Sequence, residues 1–275
     1  MARVGKLFVF DRCRFRYIRW PCDVLGKGAD ILKQTDVEGA SAPVESIEHD
    51  GKTPRRQNTK VKGHKSRVAP RKHAPELRRQ EILASALMEF ASKGFGGART
   101  ESIVARTNTN TAMLFHYFGS KENLYIAVLE SIYDDIRKKE AEIDFETMTP
   151  VAAIEALVSF TFNYYIEQPH FVRMINNENQ HEIAFLKKSE KIARANTSII
   201  EALQKIVDRG VEHGEFRDGI DVTDLYISIS ALGFTYVSNR HTLGLVFGRD
   251  LFTREAIDSR LSTMTEMILR YLQKS

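Results

Sequence analysis

Residues 99–124 read RTESIVARTNTNTAMLFHYFGSKENL, and this stretch decides the fold. Ile103 marks the apolar side of a first short segment. Leu114 and Phe118, four residues apart, lie on one face of a second segment. Residues 107–110 between the two segments are Thr-Asn-Thr-Asn, a composition that favours a turn followed by a helix cap. The pattern predicts two short helices joined by a tight turn, which is a helix-turn-helix.

Local capping signals set the limits of the second and third helices. Asn110 is predicted to cap the second helix by accepting a hydrogen bond from a backbone N–H one turn later. Gly119 is predicted to end that helix, and Ser120 to cap the next one. A helix over residues 111–117 in this arrangement fits a DNA major groove. The same geometry also occurs where two helices only complete a core, so that alternative stays open.

Composition excludes several classes of protein. The chain has 275 residues, of which 43% are apolar, enough for one or two domains. No apolar run reaches the roughly 18 residues that a membrane-spanning helix requires. Cys13 and Cys22 are the only cysteines, and they give neither a metal-binding spacing nor a disulfide framework. We therefore expect a cytoplasmic protein with no cofactor, no metal and no membrane partner.

Positive charge is concentrated before the first predicted helix. Residues 1–74 contain 17 Lys and Arg against 8 Asp and Glu, whereas the remainder contains 23 against 28. The composition of residues 1–74 predicts a disordered basic extension. Its last part, residues 51–74, has nine basic residues and no acidic residue, as in arms that contact phosphates. A solvated tail without a partner is the alternative interpretation.

The chain from residue 75 onward reads as helices throughout. Helical spacing of apolar residues predicts an all-α fold of about nine helices, with a small head and a larger body. The head is predicted as residues 75–120 and the body as residues 121–275, the latter for ligand binding and dimerisation. The predicted helices of the body span residues 120–142, 150–167, 169–179, 183–213, 222–239 and 254–273. Residues 240–249 are predicted as a loop.

The motif resembles that of the TetR/AcrR family of transcriptional regulators. That family's pattern is approximately T-x-x-I-A-x-x-A-G-V-S-x-G-x-L-Y-x-Y-F-x-S-K-E-x-L. Val104 and Phe115 replace the usual Ala and Tyr, and residues 107–110 replace Ala-Gly-Val-Ser. The body is most similar to the RutR-like branch, through YIAVL at residues 125–129 and PVAAI at residues 150–154. The matching residues are Thr100, Ile103, Leu114, Tyr117, Phe118, Ser120, Lys121, Glu122 and Leu124.

The resemblance implies that different residues contact the bases and the phosphates of a double-stranded DNA operator. Thr111 and Ala112 would reach base edges, whereas other polar residues would hold phosphates. Phe115 lacks the hydroxyl that a tyrosine provides in relatives, which removes one phosphate contact. For both Phe115 and Tyr117, core packing is the alternative role. The full predicted DNA-binding set is Thr100, Asn110, Thr111, Ala112, Phe115, His116, Tyr117 and Lys121.

The resemblance also implies a homodimer and a small-molecule effector of unknown identity. Apolar stripes on the last two long helices are predicted to pair with their copies, or alternatively to complete the core of one subunit. The first stripe is Leu225, Ile229, Leu232 and Tyr236, and the second is Leu261, Met264, Met267, Ile268 and Tyr271. The predicted ligand-binding residues are Phe160, Tyr164, Phe171, Met174, Glu178, Asn179 and Arg240.

These expectations combine into a ligand-responsive, DNA-binding transcriptional regulator, expected to be a repressor that an effector releases from its operator. The alternative is an all-α protein-interaction module that does not bind DNA. An enzyme is not expected, because Gly-x-Ser-x-Gly, His-Glu-x-x-His and Walker motifs are absent from the sequence. No catalytic residue is therefore predicted.

Overall fold

A computed structural model describes residues 6–9, 16–19 and 74–274. Residues 6–9 and 16–19 belong to one compact unit, and residues 74–274 belong to a second. No helix within these ranges is long and apolar enough to cross a lipid bilayer. The second unit is built from α-helices: α1 Ala74–Gly97, α2 Thr100–Val104, α3 Thr111–Phe118, α4 Lys121–Ala141, α5 Pro150–Glu167, α6 Pro169–Gln180, α7 Glu190–Ala193, α8 Thr197–Glu212, α9 Val222–Ser238, α10 Arg240–Phe247 and α11 Arg254–Leu272. The predicted all-α fold is confirmed for this unit.

The first unit contains two strands that the sequence analysis did not expect. β1 is Lys6–Val9 and β2 is Arg16–Arg19, and they pair antiparallel with Lys6 opposite Arg19. Aromatic and branched aliphatic residues favour strands, but four residues are too few to show a clear alternation. The predicted disorder of the remaining residues up to 73 lies outside the described residues.

Three helices of the head enclose a small apolar core. Ile82, Phe90, Ile103 and Leu114 are fully buried in that core. The Ser85 hydroxyl donates a hydrogen bond of 2.7 Å to the Ile103 carbonyl, which joins α1 to α2. These contacts fix the orientation of α2 and α3 relative to α1.

The limits of the head helices follow from the predicted caps. The Asn110 side chain accepts a hydrogen bond from the Met113 amide at 2.9 Å, and the Ser120 hydroxyl accepts one from the Asn123 amide at 3.0 Å. Gly119 follows α3 with φ 76°, a backbone conformation that glycine adopts without strain. Gly94 has φ 65° and interrupts α1.

Two predictions for the body are wrong. The single helix predicted over residues 183–213 is divided into a short 3₁₀ turn at Leu186–Lys188, then α7 and α8. Glu182 and Ile183 have φ values of 54° and 53°, which a continuous helix does not allow. The predicted loop over residues 240–249 contains helix α10.

Candidate nucleic-acid interface and small-molecule cleft

Helix α3 has one buried and one exposed face. Leu114 and Phe118 fix the buried face. Ala112, Phe115 and His116 are exposed on the other, and Thr111 is half-buried beside them. Positions three and four apart share a face of a helix, so these four side chains form one surface. The structure therefore brings four of the predicted DNA-binding residues together.

The remaining predicted DNA-binding residues surround that surface. Asn110 is exposed at the cap of α3, and Thr100 begins α2. Phe115 is 40% exposed, so it is not a core residue. Tyr117 is half-buried and packs against the core, and its ring centre lies 5.7 Å from that of His116. Lys121 begins α4, and its ammonium lies 4.8 Å from the centre of the Phe95 ring.

A buried ionic cluster that the sequence analysis missed supports the turn of the head. Glu89 of α1 is fully buried, and its carboxylate accepts hydrogen bonds from Arg106 at 2.5 Å and from Lys93 at 2.8 Å. The Arg99 amide donates a third bond at 3.4 Å. Burial raises the pKa of Glu89, but these donors outweigh burial and lower the pKa to about 2. The one signal for this cluster in the sequence was that Glu89 is an acidic residue on the apolar face of a predicted helix.

Most of the predicted ligand-binding residues are engaged in core packing or in hydrogen bonds within the chain. Phe171 and Met174 are buried in the core, and Tyr164 donates a hydrogen bond of 2.9 Å to Asp135. Glu178 is buried and accepts bonds from the Phe185 and Leu186 amides at 3.2 and 2.9 Å. The other three are Phe160, which is half-buried against Tyr164, Asn179, which is exposed, and Arg240, which lies 4.6 Å from the Phe252 ring centre. Their assignment to a ligand stays a prediction.

A different set of residues lines an open cleft of about 860 Å³ between α4 and α8, which we call the α4–α8 cleft. Its walls are the last turn of α4, residues 142–146 and one face of α8. Arg209 donates hydrogen bonds of 2.8 and 2.9 Å to the carbonyl oxygens of Phe145 and Glu146, which fixes one wall. None of the seven predicted ligand-binding residues lines this cleft.

A mostly buried ion pair is part of the polar lining of the cleft. Arg137 donates to Glu140 at 2.5 Å and to the Tyr226 hydroxyl at 2.8 Å. Glu140 Oε1 makes no hydrogen bond to any described residue, although the side chain is only 4% exposed. Burial raises the pKa of Glu140 to about 7, although the Arg137 charge acts in the opposite direction.

The predicted dimer stripes are mostly part of the core of one subunit. Leu225, Ile229, Met264 and Ile268 are buried within the chain. Met267 and Tyr271 of the predicted second stripe are exposed, and together with residues outside the stripes they belong to two exposed, uncharged ridges with a spacing of four residues. The ridge on α9 consists of Thr223, Ile227, Ala231 and Thr235, and the ridge on α11 consists of Ser259, Thr263, Met267 and Tyr271.

Comparisons with known families match both parts of the chain. The family model described as bacterial regulatory proteins, tetR family, matches residues 82–128. The model described as tetracyclin repressor-like, C-terminal domain, matches residues 150–268. Together they cover most of α1, all of α2 and α3, the first part of α4, and the chain from α5 to most of α11.

Individual relatives agree with these matches. The transcriptional repressor NicS of Pseudomonas putida is 35% identical over 196 residues, which are 71% of this chain and 92% of NicS. The regulator RutR of Escherichia coli is 34% identical over 104 residues, which are 38% of this chain and 49% of RutR.

Solved structures share the fold at lower identity. A tetR-family regulatory protein from Rhodococcus RHA1 has a TM-score of 0.56 and 20% identity, covering 72% of this chain and 98% of its own. FadR of Bacillus subtilis, solved in complex with stearoyl-CoA, has a TM-score of 0.52 and 17% identity, covering 70% of this chain and 99% of its own. These similarities support the helical architecture described above.

Proposed function

The chain belongs to the TetR family of bacterial transcriptional regulators, and we propose that it is a cytoplasmic repressor that binds an operator as a homodimer. An effector bound in the body releases the operator. The observation that carries this proposal is the exposed surface of α3, which is held in place by Leu114 and Phe118 from beneath. We propose that the protein is not an enzyme. The proposed head is residues 75–120 and the proposed body is residues 121–275.

The exposed surface of α3 is the base-reading surface in this proposal. Thr111 offers a hydroxyl that both donates and accepts, and the Ala112 methyl suits a thymine methyl group in the major groove. Phe115 is too exposed to be a core residue, and its ring adds apolar contact at the same surface. Asn110 positions the helix through its cap and makes the first turn rigid.

Phosphate contacts are assigned to the residues around that surface. Thr100, His116, Tyr117 and Lys121 lie at the start of α2, at the end of α3 and at the start of α4. The amides at a helix start attract anions, and Lys121 adds a full charge at the start of α4. Its contact with Phe95 keeps the ammonium on an aromatic ring in the absence of DNA, and a phosphate would compete for that charge.

The exposed ridges of α9 and α11 support the homodimer. Each ridge is free of charge, and the rows of residues four apart are those that interdigitate when two helices pack. Ile227, Met267 and Tyr271 are 57%, 50% and 48% exposed, and a second copy would bury them. A dimer would also place two copies of α3 on one duplex, as a twofold operator requires.

The test of this proposal is a mobility shift with the DNA upstream of the protein's own gene, in the presence of excess unrelated duplex. Wild-type protein should give a complex that resists the competitor. Ala112→Glu should abolish the complex, since a carboxylate on the exposed surface of α3 repels phosphates. Ala193→Glu, at an exposed alanine of α7, is the control and should bind as wild type. Equal binding by both variants would show that α3 does not contact the DNA, and the absence of any competitor-resistant complex with wild-type protein would instead favour a protein-interaction module.

A further inference from the structure

We propose that the α4–α8 cleft binds an organic cation, a primary or secondary ammonium group on an apolar body, with the ammonium at Glu140. This inference rests on the proposed function in one respect, because it names the chemical class of the effector. The seven residues predicted from sequence do not form this site, and Glu140 was not among them.

The first support is the free hydrogen-bonding capacity of Glu140. Its Oε2 accepts from Arg137, whereas Oε1 has no donor within the described part of the chain. A buried acceptor without a donor carries a free-energy cost, which a ligand N–H placed there would remove. Arg137 donates through Nη1 to Glu140 Oε2 and through Nη2 to the Tyr226 hydroxyl, and its Nε has no acceptor within the described part of the chain.

The second support is the charge of the cleft lining. Seven acidic and three basic side chains line it. One of the basic side chains, Arg137, is paired with Glu140, and Arg209 is occupied by two backbone carbonyl groups. Glu142, Asp144, Glu201 and Glu212 make no ion pair with any residue that the structure describes. Their combined field attracts a cation and repels an anion.

The third support is the apolar part of the same lining. Ile143, Phe145, Ile199 and Ile206 lie beside the acidic residues. Phe145 and Ile206 are buried and contribute apolar side chains to the same lining as the Glu140 carboxylate. A site with an apolar wall and one buried charged group selects a ligand that has both an apolar body and one polar group of opposite charge.

The position of the cleft connects it to the head through a single helix. Arg137 and Glu140 lie in the last turns of α4, and Lys121 is the first residue of that helix. A ligand that favours one position of the C-terminal end of α4 would therefore also shift the N-terminal end, which we assign to DNA binding. An effector shifts the equilibrium only by its difference in affinity between the two positions.

The experiment compares three probes that share one ring system and differ in charge: 1-naphthylmethylammonium, 1-naphthylmethanol and 1-naphthoate. Titration calorimetry with the full chain, without DNA, measures each dissociation constant. The ammonium probe should bind about tenfold or more tightly than the alcohol, and the carboxylate should bind most weakly. Tighter binding of 1-naphthoate, or equal binding of all three probes, would overturn the proposal.

Two variants locate the site. Glu140→Gln should remove the preference for the ammonium over the alcohol, and Glu155→Gln, an exposed carboxylate of α5, is the matched control that should keep it. Ala202→Trp fills the cleft from α8 without changing the ion pair, so it remains informative if Glu140→Gln does not fold. Unchanged ammonium binding by a folded Ala202→Trp variant would contradict the site. DNA binding is measured separately, without any probe, and its absence would contradict the proposed function but not the ligand site.

Discussion

Arg106 donates a hydrogen bond of 2.5 Å to Glu89, so the residue that precedes the helix-turn-helix turn is fixed to the middle of α1. Arg106 is 41% exposed at its side chain, whereas Glu89 is fully buried. The pair therefore joins the surface turn to the core of the head. Because Glu89 also accepts from Lys93 and from the Arg99 amide, a single carboxylate connects α1 to both ends of α2.

Glu89→Gln should destabilise the protein, since the amide cannot accept charged donors as strongly and leaves Arg106 without its counterion. We expect a loss of about 1–3 kcal/mol in the free energy of unfolding, measured by urea denaturation. Glu81→Gln, at an exposed position of the same helix, is the control and should change little. A Glu89→Gln variant as stable as wild type would show that the cluster contributes nothing to folding.

Acid should weaken the head through Glu89. Its pKa is lowered from 4.5 to about 2 in the folded state, so the stability it contributes is complete above pH 4.5 and is lost as the pH falls towards 2. Urea denaturation between pH 2.5 and 6 should show a smaller pH dependence in Glu89→Gln than in wild type. An identical dependence would show that Glu89 is not the titrating group.

Glu140 should have the opposite effect on stability. Its pKa is raised from 4.5 to about 7, so the folded state holds a proton that the unfolded state has released between those values. Stability should therefore fall as the pH rises from 4.5 through 7. The charged or titratable groups around it are Arg137, Tyr165 and Tyr226. Glu140→Gln should remove this slope, and the same slope in both proteins would contradict the assignment.

Lys121→Ala should weaken binding to all DNA sequences by a similar factor. Removal of one phosphate contact should lower the slope of log affinity against log salt by about 0.9. Lys138→Ala, an exposed lysine near the other end of α4, is the matched control and should leave the slope unchanged. Fluorescence anisotropy over a range of salt concentrations measures both slopes, and equal slopes for the two variants would remove Lys121 from the interface.

Ile227→Glu should dissociate the proposed dimer. It places a carboxylate on the exposed ridge of α9, where it would be buried without a partner in the dimer. Ala193→Glu, at an exposed position of α7 outside both ridges, is the control and should remain dimeric. Sedimentation velocity distinguishes the two states, and a dimeric Ile227→Glu variant would exclude the ridge as the interface.

The sequence predicted well those features that local chemistry determines. Asn110 and Ser120 were identifiable as caps because a cap depends only on the residues of the first helical turn. Leu114 and Phe118 were identifiable as buried because a spacing of four residues defines a helix face. The motif that identified the family combines these same local signals.

Features that depend on tertiary packing were not predicted. Glu182 and Ile183 have positive φ values but are not residue types that favour a turn, so the helix break before α7 could not be predicted from the sequence. Apolar periodicity also could not distinguish burial within one subunit from burial in a dimer, as Ile229 and Met264 show. The α4–α8 cleft joins Glu140 to residues about 60 positions later in the chain, and only the packing of α4 beside α8 brings them together.

The central claim is that two copies of α3 read one duplex, and selection from a random pool of duplex DNA tests it most directly. Full-length protein should enrich an inverted repeat whose half-site centres lie about 10 base pairs, or a multiple of that, apart. Thr111→Val should enrich a repeat that differs from the wild-type repeat at matching positions of both half-sites. A pool that shows no enrichment after repeated rounds at low salt, or that enriches only single unpaired sites, would contradict the account.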